Sequence, residues 1–136
     1  MKVLEDVDVF LAENRRVTLA DLIHGWDQRV KRFADEASSP PPEKSWGADE
    51  FFGALFLRNI IQGAIEGEDD LVRVKADNAI ALSDQLLKQI TTNDSRGLLR
   101  RFARPEDASG WWWDRLPTNG LPRIELEKWD LAKESQ

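Results

Sequence analysis

The amino-acid sequence predicts an all-α protein, a four- or five-helix bundle with an irregular Trp-rich C-terminal segment packed on it. Apolar residues recur at helical spacing in several stretches of the first 103 residues. The length of 136 residues and the hydrophobic content of 41% suit one domain with one core. Turn-forming residues gather towards the C-terminus. We therefore predict a single helical domain over residues 1–136, with the bundle core in residues 1–103 and the irregular segment in residues 104–136.

Two helices are predicted before residue 38. In residues 3–14, apolar side chains at helical spacing predict a short first helix. The second helix begins at Thr18, whose hydroxyl is placed to cap the amide of Asp21. Three prolines in residues 38–44 then rule out a helix and indicate a stiff connector, with a proline-rich docking ligand as the alternative. The apolar stripe of the second helix comprises Leu19, Leu22, Ile23, Trp26, Val30, Phe33 and Ala37.

The third predicted helix, residues 49–66, carries apolar side chains around most of its circumference. Such a helix is buried centrally or lies partly at an interface, so a homo-oligomer formed through helix 3 is one hypothesis. A narrow polar strip of Arg58, Asn59, Gln62 and Glu66 interrupts this apolar surface. A buried strip would need internal partners and would suit a ligand pocket, whereas an exposed edge needs no partners. We favour the exposed edge.

The fourth predicted helix, residues 69–91, follows the third after only two or three linking residues. A linker this short predicts an antiparallel helical hairpin. On the polar face of this helix, spacing predicts ion pairs between Arg73 and Asp77 and between Asp84 and Lys88.

The remainder of the chain is less regular. Residues 96–103 predict a short fifth helix with its leucines and phenylalanine facing inward. After Ser109, glycines and prolines mark turns. Apolar residues in the range 124–129 fit either a short strand or a last helical turn.

Composition excludes several classes of protein. With no cysteine, the chain has no disulfide, thiolate metal site or cysteine nucleophile. Its first ten residues include three acidic ones and lack the basic start and apolar run of a secretory signal, and no stretch approaches the roughly 20 apolar residues of a membrane span. The formal charge of −6 disfavours nucleic acid and anionic membranes and slightly favours basic partners. These features predict a cytoplasmic protein.

A carboxylate-based site is the strongest enzymatic alternative. Carboxylates on paired helices can hold magnesium in an all-α nucleotide hydrolase, because that ion prefers oxygen ligands. The spacing here fits solvated helix faces and helix-dipole complements better, and the single histidine, His24, suits a surface position. We therefore assign no catalytic residue, metal ligand or cofactor. The carboxylates concerned are Glu66, Glu68, Asp69, Asp70, Asp77 and Asp84.

Three consecutive tryptophans are the most unusual feature of the sequence. Successive side chains lie 100° apart in a helix and alternate in a strand, so at least one indole should be partly exposed or covered by a loop. Tryptophan and arginine are the residues most enriched in binding hot spots, and arginines flank the run. The alternatives are that the tryptophans seal one end of the bundle and that the arginines are a solvated face. The predicted binding residues are Trp111, Trp112, Trp113, Arg115, Arg100 and Arg104.

These observations favour a small acidic binding protein over an enzyme. An acidic chain with exposed aromatic side chains would suit an inhibitor or immunity-type antitoxin that acts by protein–protein contact on a basic partner. The all-α metal-dependent nucleotide hydrolase, using acidic residues of helices 3 and 4, is the alternative. The sequence does not identify the partner.

Overall fold

The computed structural model describes residues 2–12, 15–38 and 45–134. The predicted connector in residues 38–44 therefore lies outside the described residues except for Ser38. Short 3₁₀ turns occur at Leu4–Asp6, Pro105–Asp107 and Trp111–Asp114. The strands and α-helices are, in chain order, β1 (Asp8–Ala12), β2 (Arg15–Thr18), α1 (Leu19–Ala37), α2 (Ala48–Glu66), α3 (Asp70–Gln89), β3 (Thr91–Asn93), α4 (Leu98–Arg101), β4 (Arg115–Pro117) and α5 (Leu121–Glu134).

The protein is mostly helical, as predicted, but it is not purely all-α. Two small antiparallel sheets are present, one formed by β1 with β2 and the other by β3 with β4. The second sheet joins the end of α3 to the segment that follows the tryptophan run. It therefore ties the C-terminal part of the chain to the helices.

The helix predicted for residues 3–14 is wrong. Residues 8–12 of this stretch form β1, in which Val9 pairs with Val17 of β2. Burial in β1 alternates, with Val9 and Leu11 half-buried and Phe10 71% exposed. This period of two and the β-branched valines favour a strand. The apolar residues of the whole stretch 3–14 fit a helical period, and that fit led to the helix prediction.

The start of α1 is set by a local capping interaction, as predicted. The Asp21 amide donates to the Thr18 hydroxyl (3.1 Å), and the Thr18 amide donates to the Asp21 carboxylate (3.3 Å). This reciprocal pair satisfies two amides that the first helical turn leaves free. All members of the predicted stripe up to Phe33 are buried, and Ala37 is half-buried.

The third and fourth predicted helices are α2 and α3, with ends close to those expected. Near their linker, the Arg73 guanidinium donates to the Glu66 carbonyl (2.7 Å). Further from the linker, Arg58 of α2 pairs with Asp84 of α3 (2.9 Å). In an antiparallel hairpin, the sequence separation between contacting residues grows with their distance from the linker, and these two contacts follow that pattern. Helix α1 packs against both α2 and α3.

The C-terminal segment predicted as irregular in residues 104–136 ends in a regular helix, α5. Gly120, with a φ of +87°, turns the chain into this helix. Pro122 lies in its first turn, where a missing amide breaks no intrahelical hydrogen bond. Leu126 is fully buried and Trp129 half-buried on the same face. The prolines and glycines of this segment predicted turns and did not reveal the helix. Proline is, however, also common in the first turn of a helix.

Helix α5 caps the start of α2. The Ala48 amide donates to the Glu125 carboxylate at 2.8 Å, which satisfies a free amide and places a negative charge at the positive end of the α2 dipole. A Cβ at Gly47 would lie 1.7 Å from the same carboxylate oxygen. Glycine at this position therefore makes room for a cap that is supplied from 77 residues away.

Ion pairs join α5 to α4 and to Arg96, which lies just before α4. Arg96 contacts Glu127 at 2.6 Å, Arg123 contacts the same carboxylate at 3.0 Å, and Arg101 pairs with Asp130. Asp130 is only 5% exposed. A carboxylate so placed needs its cation, because an unpaired buried charge is costly.

This cluster predicts an acid-sensitive contribution to stability. The hydrogen bond from Arg96, helped by Arg123, lowers the pKa of Glu127 below its ordinary value. A carboxyl group whose pKa is lower in the folded state stabilises the fold at pH values above its unfolded-state pKa. That stabilisation is lost as the pH falls through its folded-state pKa. We expect Glu127→Gln to lower the melting temperature near neutral pH, and the difference from the wild type to shrink below about pH 4. Thermal unfolding across this range tests it; a difference that stays constant with pH would contradict it.

The apolar core draws on every α-helix and on β4. Trp26 of α1 and Trp113 of the tryptophan run are its largest fully buried side chains. Within the described part of the chain, no helix combines the length and apolar character that crossing a membrane requires.

Candidate binding site

The polar strip of α2 is buried at its centre, so the prediction of an exposed edge is wrong there. Arg58 is only 3% exposed, and its Nε and Nη2 donate to Asp84 at 3.1 and 2.9 Å. Its Nη1 donates to Gln62 (3.0 Å), and its guanidinium lies 4.5 Å from the ring centre of Trp112. Asp84 also accepts from the Trp26 indole at 2.9 Å. The strip therefore has the internal partners that burial demands.

Asn59 joins α2 to the tryptophan run. Its Oδ1 accepts from the indole nitrogens of Trp112 (2.8 Å) and Trp113 (2.9 Å). Its amide nitrogen donates to the Asp107 carbonyl at 2.6 Å. One side chain thus satisfies two buried indoles and holds the preceding loop, which fixes the run on the surface of α2.

The tryptophan run forms a 3₁₀ turn that points two of its indoles into the core. Trp112 is 3% exposed and Trp113 is 0% exposed. The ring of Trp113 packs edge-on against Phe56 at 5.3 Å. A Cβ at Gly110 would lie 2.3 Å from the Trp112 ring, so glycine is required there for the close approach. These two indoles seal the core, which was the structural alternative for the run.

Trp111 differs from its two neighbours because it is half-buried at the surface. Its ring meets that of Trp112 edge-on at 5.7 Å, and the Lys88 ammonium lies 4.4 Å from its centre. An ammonium at that distance from an indole is held by a cation–π attraction. Of the three tryptophans, Trp111 is therefore the one whose side chain is partly exposed at the surface.

An open groove of about 650 Å³ lies between α2 and the loop that precedes the tryptophan run. Three acidic and two aromatic residues are among those that line it, and none of its lining residues in the described structure is basic. Gln62 donates to Glu66 at 3.3 Å within the groove. The other side chains that give the groove its character are Glu106, Asp107, Trp111 and Trp112.

The three predicted arginines do not line this groove. Arg100 pairs with Asp114 at 2.8 Å, and that hydrogen bond raises its pKa above the ordinary value. Arg115 donates to the Thr91 hydroxyl at 3.0 Å and to the backbone carbonyls of Lys88 and Thr91. Arg104 is exposed before the Pro105 turn. Arg100 and Arg115 thus hold the C-terminal segment in place.

The structure does not place Arg96, Arg100 and Arg104 on one helix face, because α4 spans only Leu98–Arg101. Gly97 has a φ of +64° and precedes α4, so Arg96 lies outside the helix. Arg96 then reaches Glu127 on α5, whereas Arg100 reaches Asp114. A continuous basic face is therefore not formed.

The two ion pairs predicted along α3 are also not the ones observed. Asp84 pairs across to Arg58, and Lys88 lies over Trp111. Arg73 lies 3.7 Å from Asp70. Tertiary partners have replaced the i,i+4 neighbours of Asp84 and Lys88, whereas Arg73 pairs with a residue three positions away on the same helix.

The carboxylates at the α2–α3 turn have separate local roles. Asp69 caps α3 by accepting from the Val72 amide (2.9 Å), and Glu68 pairs with Lys2 at 3.2 Å. Within the described residues, no three histidine or acidic side chains are grouped so as to hold a metal ion. His24 is exposed on α1, as expected.

Glu106 and Asp107 are groove residues that sequence reasoning did not select. They precede the tryptophan run by only a few residues, and that proximity was the available signal. The sequence does not predict that the loop carrying these residues lies across the groove from Gln62 and Glu66. That placement depends on Asn59, which binds both the loop and the indoles.

The chain matches no protein-family model, and no curated protein or solved structure is detectably similar to it.

Proposed function

We propose that this protein is a small acidic binding protein, a single domain that captures a basic segment of a partner protein in the groove beside Trp111. An inhibitor or immunity-type antitoxin directed at a basic effector would act in this way. The observation that carries the proposal is the composition of the groove, in which carboxylates and an aromatic side chain occur together without a basic residue among the described lining residues.

The charge of the groove favours a cationic ligand. Glu66, Glu106 and Asp107 line one open cavity, and the whole chain carries a formal charge of −6. Such a field speeds the encounter with a basic partner and is weakened by salt. Lysine and arginine side chains also have long apolar stems, which can pack on an indole while the charged end meets a carboxylate.

Trp111 supplies the apolar contact in this proposal. It is half-buried and held by Trp112 and Lys88, so little side-chain freedom remains to be lost on binding. Rigid aromatic side chains of this kind are common anchors of protein interfaces. We predict that Trp112 and Trp113 support the site from the core side. We predict that Arg100, Arg104 and Arg115 border the segment that carries Trp111.

Affinity capture from the native lysate tests the proposal with two groove variants. We expect the wild-type chain to retain a basic protein, and Trp111→Ala to weaken that complex by about 30-fold, the typical cost of losing a hot-spot tryptophan. Glu106→Lys should weaken it as well, because it places a cation in the groove. Mass spectrometry identifies the retained protein, and calorimetry with the purified pair measures the affinity.

The matched control is Asp77→Lys, which reverses a charge at an exposed position of α3 outside the groove. It should retain the partner with nearly unchanged affinity. Equal capture by all four chains, or capture of no basic protein by the wild type, would refute the groove as the binding site. Variants of Trp112 or Trp113 are unsuitable, because their burial makes loss of binding indistinguishable from loss of folding.

The metal-dependent nucleotide hydrolase remains the alternative prediction. Its test is a magnesium-dependent nucleotide hydrolysis assay on the wild type and on Asp70→Ala and Asp77→Ala, two exposed positions whose loss leaves the core intact.

A further inference from the structure

The α2 wall of the groove beside Trp111 carries no side chain at Gly63. A Cβ at this position would meet no atom of the described residues within 4 Å, so packing within the described chain does not require glycine. The backbone does not require it either, because Gly63 lies inside a regular helix without a positive φ. Glycine inside a helix is destabilising relative to alanine. What the glycine does provide is open space in the groove that Glu66 and Trp111 also line.

Next to the groove, the chain already holds one arginine of its own with similar chemical groups. Arg58 is buried, and its guanidinium donates twice to Asp84 and once to Gln62 at 3.0 Å. The same guanidinium lies 4.5 Å from the ring centre of Trp112. Gln62 and Trp112 also line the groove. In the groove, therefore, a carboxylate, the Gln62 amide and indole rings occur together a second time.

Arg58 also fixes how the Glu66 carboxylate is held. A guanidinium has only N–H donors, so the Gln62 amide must turn its Oε1 towards Arg58. The Gln62 Nε2 then donates to the Glu66 Oε1 at 3.3 Å. The Glu66 Oε2 accepts no hydrogen bond within the described residues, and the nearby Arg73 guanidinium binds the Glu66 carbonyl instead of the carboxylate. Glu66 is thus positioned with one oxygen free to accept from a ligand.

The groove offers more acceptors than the chain satisfies. Among the described residues, the carboxylates of Glu106 and Asp107 accept no hydrogen bond and form no ion pair. A ligand suited to the groove therefore brings several N–H donors. A guanidinium presents five of them in one plane, whereas an ammonium presents three. The guanidinium plane also stacks on aromatic rings and is less strongly hydrated than an ammonium.

We infer that the groove binds an arginine side chain in preference to a lysine, with the guanidinium on Glu66 and against Trp111 in the space that Gly63 leaves open. The inference rests on the proposed function, because it names the side chain that the captured segment must present. Glu66 is the last residue of α2, and the last turn of this helix carries no basic residue. A cation is favoured at that end of a helix dipole.

Titration with two capped amino acids tests the preference. N-acetyl-arginine amide and N-acetyl-lysine amide each carry one positive charge, so the overall charge of the chain attracts both alike. NMR spectra of the isotope-labelled full chain follow the indole N–H of Trp111, whose signal is identified by its loss in Trp111→Phe. We expect this signal to shift with arginine amide at a dissociation constant at least about 5-fold lower than with lysine amide.

Two variants with matched controls test the positions of the contacts. Glu66→Gln should weaken binding of arginine amide about 5-fold, whereas Asp77→Asn, at an exposed position outside the groove, should not. Gly63→Leu should weaken binding by a similar factor because it fills the open space. Its melting temperature should be no lower than that of the wild type, since leucine is the better helix former. Gly53→Leu, where a Cβ is equally free of contacts but outside the groove, should bind like the wild type.

The inference and the proposed function fail in different ways. Equal affinity for the two amides, or wild-type affinity for arginine amide in both Glu66→Gln and Gly63→Leu, would overturn the inference and leave capture of a basic partner in place. A Trp111 signal that moves with neither amide would overturn it as well. Binding of arginine amide by a chain that captures no protein would refute the proposed function and leave the preference for a guanidinium standing.

Discussion

Replacing Asn59 by leucine is expected to lower the free energy of unfolding by about 3 kcal/mol or more, since each buried donor left unsatisfied costs about 1–3 kcal/mol. The Asn59 Oδ1 is the acceptor for both the Trp112 and the Trp113 indoles. Its removal leaves two donors facing an apolar side chain, and the Asp107 carbonyl also loses its partner. Urea unfolding followed by tryptophan fluorescence measures the effect.

The control for this change is Asn78→Leu, the same substitution at an exposed position of α3. It should alter stability by no more than about 0.5 kcal/mol, as is usual for surface substitutions. If the two variants unfold at similar urea concentrations, Asn59 does not hold the tryptophan run. The same experiment bears on the groove, because a loop released from Asn59 no longer presents Glu106 beside Trp111.

Replacing Asp84 by alanine is expected to cost about 3–5 kcal/mol, the usual effect of breaking a buried ion pair from one side. Arg58 is 3% exposed and would keep its charge without the carboxylate that faces it. The Trp26 indole would lose its acceptor as well. Asp77→Ala, at an exposed position of the same helix, is the control and should be nearly neutral.

A second variant separates the charge effect from packing. Arg58→Met combined with Asp84→Leu removes both charges and should recover much of the stability that Asp84→Ala loses, because an apolar pair of similar volume avoids the cost of burying charge. A double variant that is less stable than Asp84→Ala would show that Arg58 contributes mainly through its contacts with Gln62 and Trp112.

Interactions between near neighbours were predictable from sequence. Thr18 and Asp21 are three residues apart, so their capping pair depends on little beyond the helix itself, and α1 begins where it was expected. The apolar period of α2 and α3 is likewise a property of each helix alone. Charge, length and the absence of cysteine are independent of folding, and they limit the function in the same way before and after the structure is known.

Contacts between distant residues needed the tertiary structure. The capping of α2 by Glu125, the pairing of Arg58 with Asp84 and the joint acceptance of two indoles by Asn59 join residues 77, 26 and more than 50 positions apart. A polar side chain on a helix looks the same in sequence whether it meets water or a partner from elsewhere in the chain. The side that is buried depends on which elements pack against it.

The sequence by itself determined that this is an acidic, helix-rich chain with a capped α1, a helical hairpin and an apolar α2, because these depend on composition and on neighbours within a few turns. Only the tertiary structure decided that residues 8–12 and 15–18 form a strand pair, and that Trp112 and Trp113 are core residues while Trp111 stays at the surface. Each of these depends on which distant surface an element meets, and that information is spread over the whole chain.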